Sequence, residues 1–410
     1  DSEGGEKQEK EQGTALKDPS YQKIVTKEKG IQDKIAGEES GKSDEKDKTP
    51  NTKPLSTEEL VSKQQETARL RDAGEAGAGG EAASQGESRY CNAVDNLNSN
   101  FYNLLYLEQG ILSNNITENV RIVSLINDGF DVIGSVNIKP EKTLVVGPTK
   151  ALFKEYLGIS TLLINITSTK PNLISKLAIQ IIKEVNTETD ENIISYTGLN
   201  RWTQTFEQIK IPNNDTSKLI KDGGVYIITG GSGGIGRVLS KLIAKSVKGA
   251  TIVWTGRKIF PDRKDWIKLL EDKKTDSVLK EKIRTIQKVE NLGSKVAYYD
   301  VEVLDFDKMK QTFNDVEEKF GAINGVVHSA GVAGGGVISS INKEKIEPVI
   351  NPKVQGTLIL RKLLRDRDVD FIHLYSSITA ILGEIGRIDY ISANSFLDAC
   401  ANAPGWLHPK

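Results

Sequence analysis

The chain has 410 residues, enough for two or three domains and a large buried core. Its 55 basic and 56 acidic residues leave a net charge of −1, which offers no footprint for nucleic acid and no pull toward a membrane surface. Cys91 and Cys400 are far apart and no Cys/His ligand spacing occurs, so two reduced thiols and no metal site are expected.

No apolar run approaches the ~18 residues that a membrane span requires. The chain begins at Asp1 rather than Met, as an excised piece would, so a missing signal peptide carries no information. The expected compartment is the cytoplasm.

Residues 1–95 are dense in Lys, Glu, Asp, Ser and Gly, and their scattered Leu and Ile cannot offset backbone ordering. A disordered charged tail is expected there, with a transient helix over 59–71 and a Gly/Ala linker at 74–83. Globular patterning begins near Phe101. Helical spacing covers 101–112, followed by strands at 120–126 and 142–146, a helix at 149–157, a strand at 161–166 and a helix at 173–185. Residues 193–196 and 202–211 complete this part. Alternating strands and helices predict a parallel α/β sheet over 96–220. Its best strand-to-helix turn, Val145 to Thr149, has one glycine and no cradle for a pyrophosphate.

From 221 to 410 the alternation repeats with the glycines supplied. Strands are expected at 225–229, 251–255, 295–299, 324–329 and 371–376. Helices are expected at 235–247, 277–291, 306–320, 352–364 and 389–402. The fold class is α/β, a doubly wound parallel sheet preceded by a Rossmann-like segment.

The first strand of this half runs into Thr229-Gly230-Gly231-Ser232-Gly233-Gly234-Ile235-Gly236, five glycines within seven residues before a helix. Missing Cβ atoms let backbone approach phosphate, and the helix N-terminus supplies N–H groups and positive partial charge. Glycine spacing alone is weak, but here it sits between strand and helix as dinucleotide binding requires; the bland alternative is a tight turn. The run also satisfies GxSxG, yet no histidine is placed to serve a hydrolase: His328 and His373 lie within strands and His408 near the end. Arg237 stands where a Walker motif needs Lys.

After the second strand, Arg257 replaces the acidic residue that would bind an NAD ribose, which favours a 2′-phosphate and hence NADPH; a solvated basic turn is the alternative. Asp300 and Val301 are candidates for the adenine edge, with helix capping an equal reading of Asp300. Ser329, Ala330 and Gly331 put small residues beside a cofactor, and His328 reads as a core histidine. Ser377 follows the fifth strand, and Tyr390 and Asn394 share a helix face at i,i+4. Ketone reduction needs a proton donor and a hydrogen-bond donor at the developing alkoxide. Tyr390 and Ser377 fit those roles, with Lys353 as the cation that lowers the phenol's pKa.

The glycine run, His328-Ser329-Ala330-Gly331-Val332, Ser376-Ser377 and Tyr390-Ile391-Ser392-Ala393-Asn394 together resemble the ketoreductase domain of modular polyketide synthases, an extended short-chain dehydrogenase/reductase. In that family a lysine lies 24 residues before the serine, the serine 13 before the tyrosine, and an asparagine four after it, as Lys353, Ser377, Tyr390 and Asn394 do. Thr143 to Pro148, Lys154-Glu155-Tyr156 and Ser195 to Trp202 resemble the family's non-catalytic structural subdomain. The resemblance implies NADPH as cofactor and a β-ketoacyl chain on an acyl carrier protein, alongside other synthase domains of the same or an adjacent polypeptide.

Two signatures depart from the family. The Leu-Asp-Asp expected after Val332 reads Ala333-Gly334-Gly335, and the tryptophan eight before the tyrosine is Leu382, so the configuration of the product hydroxyl is undecided. The triglycine at 334–336 is expected to loosen its loop. The family's Asn-Trp-Gly-Pro-like strand is not matched by Ala403-Pro404-Gly405-Trp406-Leu407, which predicts an exposed fifth-strand edge and little activity from this piece alone. The competing reading is a truncated or degenerate reductase serving as a structural or interaction segment.

Overall fold

The computed structural model describes residues 97–134, 138–167, 169–210, 219–403 and 405. The charged tail, its expected helix at 59–71 and Cys91 lie outside the described residues.

The first half opens with a wide helical turn, Leu97–Tyr102, that continues as α1 (Asn103–Ser113). Strand β1 (Val120–Asn127) follows, then a 3-10 turn (Pro140–Val145) that runs into α2 (Val146–Glu155). Strand β2 (Ile159–Thr167), helix α3 (Ile174–Val185) and strands β3 (Ile193–Thr197) and β4 (Asn200–Thr203) complete it. The sheet order is β1-β2-β3-β4, parallel except for the last pair.

Three expectations need correction here. Residues 142–146 are helical rather than a strand. Pro140 presets φ at the first position, and the Thr143 hydroxyl donates to its carbonyl at 2.7 Å. Leu144, Val145 and Val146 bury their side chains in an inter-helix core, which their strand-like sequence does not distinguish from a sheet. The sheet is not wholly parallel, because Gly198 takes φ 61° in a two-residue turn that folds β4 back on β3. The segment 202–211, expected to complete this part as one piece, is divided, its first two residues ending β4 at Thr203.

The second half carries β5 (Val225–Thr229), α4 (Gly234–Ser246), β6 (Thr251–Gly256), α5 (Trp266–Glu271), α6 (Ser277–Asn291) and β7 (Lys295–Asp300). Then come α7 (Phe306–Phe320), β8 (Ile323–His328), α8 (Lys343–Leu364), β9 (Phe371–Leu374), α9 (Thr379–Leu382) and α10 (Ile388–Asn402). All five strands are parallel in the order β7-β6-β5-β8-β9, so the doubly wound reading holds. Along β5, Val225 and Ile227 face one core while Tyr226 and Ile228 face the other, as a sheet covered on both sides requires. Asp276, Asp305 and Asn342 cap α6, α7 and α8 by accepting from first-turn N–H groups. Helix α8 begins nine residues before the expected 352, because Pro348 and Pro352 interrupt its pattern without ending it. Strand β9 closes the sheet and pairs only with β8 among the described strands.

Helix α10 joins the halves. Eleven of its fifteen residues are buried, so it has almost no solvent face. Leu144, Val146 and Leu152 of the first half share one core with Ile388, Ile391 and Phe396. The Ser392 hydroxyl donates to the Leu144 carbonyl at 2.6 Å. Gly147 permits this contact, since a Cβ there would stand 2.0 Å from Ser392 Oγ and 2.1 Å from the Ile388 carbonyl. Among the described residues no helix is long and apolar enough to cross a membrane.

Gly147→Ala must separate α2 from α10 or distort both. We expect a loss of about 1–3 kcal/mol, read as a lower midpoint in denaturant; an unchanged midpoint would mean that the two backbones are not in contact in solution.

Candidate functional site

The glycine run forms a compact turn whose members have different physical duties. Gly230 has φ 67° and lies so near β8 that a Cβ would stand 2.9 Å from Ala330 Cα. A Cβ on Gly231 would enter the buried Trp254 ring at 2.4 Å, and one on Gly236 would meet the Gly231 carbonyl oxygen at 2.4 Å. Gly233 donates back to the Gly230 carbonyl at 2.8 Å and hands the chain to α4 without a side-chain cap. The first N–H groups of α4 therefore have no side chain of Gly233 to satisfy them, and Gly234 has open space where its Cβ would be.

This turn forms one wall of a cleft of about 450 Å³. Of the residues expected to hold a cofactor, Gly230, Ser232, Gly233, Gly234, Ile235, Gly236, Arg257, Val301, Ser329, Ala330 and Gly331 line it. Thr229, Gly231 and Asp300 do not. Gly231 is a packing residue under the turn, and Asp300 is exposed at the end of β7. Thr229 is a buried anchor: its Oγ1 lies 2.7 Å from His328 Nδ1 and accepts from the Ala330 N–H at 3.3 Å. The other ring nitrogen of His328 lies 3.1 Å from the Pro352 carbonyl. Burial, aided by the Lys353 charge, pushes His328 down to about 3, so the neutral ring donates from Nε2 to Pro352 and accepts from Thr229 at Nδ1.

Arg257 projects from the end of β6, mostly exposed, 3.8 Å from Glu302 Oε1. Sequence reading missed its neighbours Lys258 and Lys282, which also line the cleft. Burial and the charges of Lys258 and Arg237 hold Lys282 below the usual lysine range. Lys282 sits mid-helix on α6 with no motif around it, so only the fold reveals its proximity. A concentration of like charge in one corner is a site that an anion would relieve.

At the other end of the cleft Gly331 packs against Lys353, with a Cβ there 3.1 Å from the lysine Cε. Lys353 is 5% exposed; its Nζ donates to the Tyr375 carbonyl at 2.7 Å and lies 5.7 Å from the centre of the Tyr390 ring. Burial lowers Lys353 to about 8, opposed by the Asp398 charge. Ser377 Oγ accepts from the Thr379 N–H at 3.3 Å and hydroxyl at 3.0 Å, which leaves its own hydrogen for another acceptor. Asn394, fully buried, donates to the Tyr390 carbonyl at 2.7 Å, and its Oδ1 has no hydrogen-bond partner among the described residues. Lys353 and Tyr390 thus meet, with Asn394 bonded one turn below Tyr390 and Ser377 just before α9; none of these four lines the cleft, whose Gly331 and Pro352 adjoin Lys353. The arrangement can present a proton and a hydrogen-bond donor beside a cation.

The triglycine beyond β8 is not loose, contrary to expectation. Gly336 N–H donates to the Gly386 carbonyl at 2.9 Å, and the Arg387 guanidinium donates to the Gly334 carbonyl. Among the described residues no group of His, Cys, Asp and Glu is arranged to hold a metal. A second cleft, of about 460 Å³, lies between the halves near Lys150, Trp202 and Asp398 and contains none of the expected site residues.

Residues 224–404 match the family model described as "KR domain". The chain is 34% identical over 225 residues to polyketide synthase PksM and 29% identical over 216 residues to polyketide synthase PksN, both of Bacillus subtilis. Those matches cover 55% and 53% of this chain but only 5% and 4% of the synthases. Among solved structures, a crystal structure of an N-terminal ketoreductase from the macrolactin assembly line matches with a TM-score of 0.58 at 25% identity. That match covers 76% of this chain and 57% of the other.

The glycines separate in a direct test. Gly236→Ala should cost about 1–3 kcal/mol by driving a Cβ into the Gly231 backbone, whereas Gly234→Ala should leave the denaturation midpoint nearly unchanged. Equal effects would contradict the geometry of the turn.

Proposed function

Since residues 224–404 belong to the KR, or ketoreductase, domain family of polyketide synthases, we propose that this chain reduces a β-ketoacyl thioester to the β-hydroxyacyl thioester with NADPH. The acyl chain would be carried on an acyl carrier protein, with other synthase domains in the same or an adjacent polypeptide. The observation that carries this reading is a phosphate-ready glycine turn in a cleft whose lining residues Gly331 and Pro352 adjoin Lys353, with the Lys353 ammonium 5.7 Å from the centre of the Tyr390 ring.

The residues present fit the cofactor. The tight Gly230–Gly236 cradle admits backbone to a pyrophosphate, and the first N–H groups of α4 point to where it would lie. Arg257, Lys258 and Lys282 would hold the ribose 2′-phosphate, and the repulsion between Lys258 and Lys282 makes a bare 2′-hydroxyl the poorer occupant. When bound, NADPH supplies the hydride.

The chain's own residues then manage the oxygen of the ketone. Ser377, its lone pairs engaged by Thr379, donates its hydroxyl hydrogen to the carbonyl oxygen. Tyr390 donates the phenolic proton as alkoxide character develops, and the Lys353 ammonium stabilises the phenolate that remains. Lys353 at about 8 is still largely charged at neutral pH. Asn394 fixes the backbone of Tyr390 by donating its amide N–H to the Tyr390 carbonyl.

Tyr390→Phe should lower turnover of a β-ketoacyl thioester by roughly 10²–10⁴-fold while the Kd for NADPH holds. Equal rates in stopped-flow NADPH oxidation would sink the proton-donor role. The double variant Arg257→Ala, Lys282→Gln should lose about tenfold or more of the preference for NADPH over NADH, measured as a ratio of kcat/KM. An unchanged ratio would reject the 2′-phosphate site.

A further inference from the structure

Two loops border the catalytic residues, and neither is stiff by composition. One follows β8 and contains Gly334, Gly335 and Gly336, the last two at φ 154° and 155°. The other joins α9 to α10 and contains Gly383 and Gly386, at φ 69° and 68°. Their glycines give them a large conformational entropy to lose. Ser377 lies just before α9 and Tyr390 three residues after Arg387, so any drift of these loops moves the proton donor relative to the serine.

The restraint comes from the first half. Glu155, the last residue of α2, accepts from the Ile338 N–H at 2.8 Å through Oε2 and from the Gly386 N–H at 2.9 Å through Oε1. One carboxylate thereby staples the two loops to each other. On the same helix Lys150 reaches the end of α9, donating to the carbonyls of Ala380 at 2.8 Å and Ile381 at 2.5 Å. Gln109 of α1 adds 2.8 Å bonds to the carbonyls of Ile338 and Ile341. Gly383 lets α9 settle on α2, since its Cβ would come within 3.1 Å of Lys150 Cβ.

Electrostatics agrees with the geometry. Burial raises Glu155, but its two backbone N–H donors work against that rise. The adjacent Glu108 is 1% exposed with neither carboxyl oxygen partnered, and burial, reinforced by Glu155, pushes it well above the carboxylate range. Of the two acids, Glu155 accepts both backbone bonds, which favour its charged form, while the burial of Glu108 favours its protonated form.

We propose that Glu155 and Lys150 are positioning residues for the reduction: from a half that has no nucleotide cradle, they fix the two loops that set Ser377 and Tyr390 in register. This rests on the reductase reading above, but its first test does not need turnover. In the wild-type full chain the Ile338 and Gly386 amides should exchange with deuterium at least tenfold more slowly than unstructured glycine-loop amides. Free exchange at both would overturn the staple, whatever any variant does. In Glu155→Gln, one acceptor oxygen becomes an amide NH2 group, which donates and cannot accept. Exchange at one of the two amides should rise about tenfold, and kcat should fall about tenfold while the melting temperature and the Kd for NADPH hold. Glu155→Asp, which keeps both acceptors, should recover part of that kcat. Wild-type kcat and exchange in Glu155→Gln would overturn the proposal. A wild-type chain that protects these amides yet oxidises no NADPH with any β-ketoacyl thioester would instead overturn the reductase reading.

Discussion

The backbone contact between Gly147 and the first turn of α10 governs the rest of this structure. Removing a single Cβ brings two helices from opposite halves close enough for the Ser392 hydroxyl to bond the Leu144 carbonyl. Helix α10 is then enclosed almost all round, which fixes its rotation as well as its position. Tyr390 and Asn394 lie on that helix one turn apart, so their aim follows from packing against the first half rather than from the five-stranded sheet.

A second restraint runs through the sheet. Ala330 N–H, Thr229, His328 and the Pro352 carbonyl form one buried chain of hydrogen bonds joining β5, β8 and α8. Each link has a fixed donor and acceptor because His328 is held neutral. Lys353 follows Pro352 directly, so the chain anchors the helix position from which the ammonium reaches Tyr375. Buried polar groups that are fully paired in this way lock one geometry, since breaking any link strands its partner without water.

Much of this was legible in the sequence where physics is local. The strand-to-helix glycine turn and the five parallel strands of the second half follow from short-range patterning. What escaped depends on contacts distant in the chain. Residues 142–146 read as a strand because apolar residues look the same whether a sheet or helices cover them. Prolines 348 and 352 concealed the first nine residues of α8. Lys282 carries no motif, and Glu155 stands in a segment that resembles the structural subdomain but reveals no role until the fold sets it against two loops more than 180 residues away. The glycines at 334–336 were expected to confer mobility, because the bonds that restrain them come from Arg387, Gly386 and, through Ile338, Glu155.

The long sequence separation of the inter-half bonds also dictates an order of assembly. Leu144 to Ser392 spans 248 residues, Glu155 to Gly386 spans 231 and Lys150 to Ala380 spans 230. A chain made from its N-terminus completes β1 through β4 long before α10 exists, so the apolar face of α2 waits uncovered during synthesis. Closure of such distant contacts is slow, and α10, the last helix among the described residues, is the one that buries that face. Tyr390 therefore reaches its place only in the step that also completes the core of the other half.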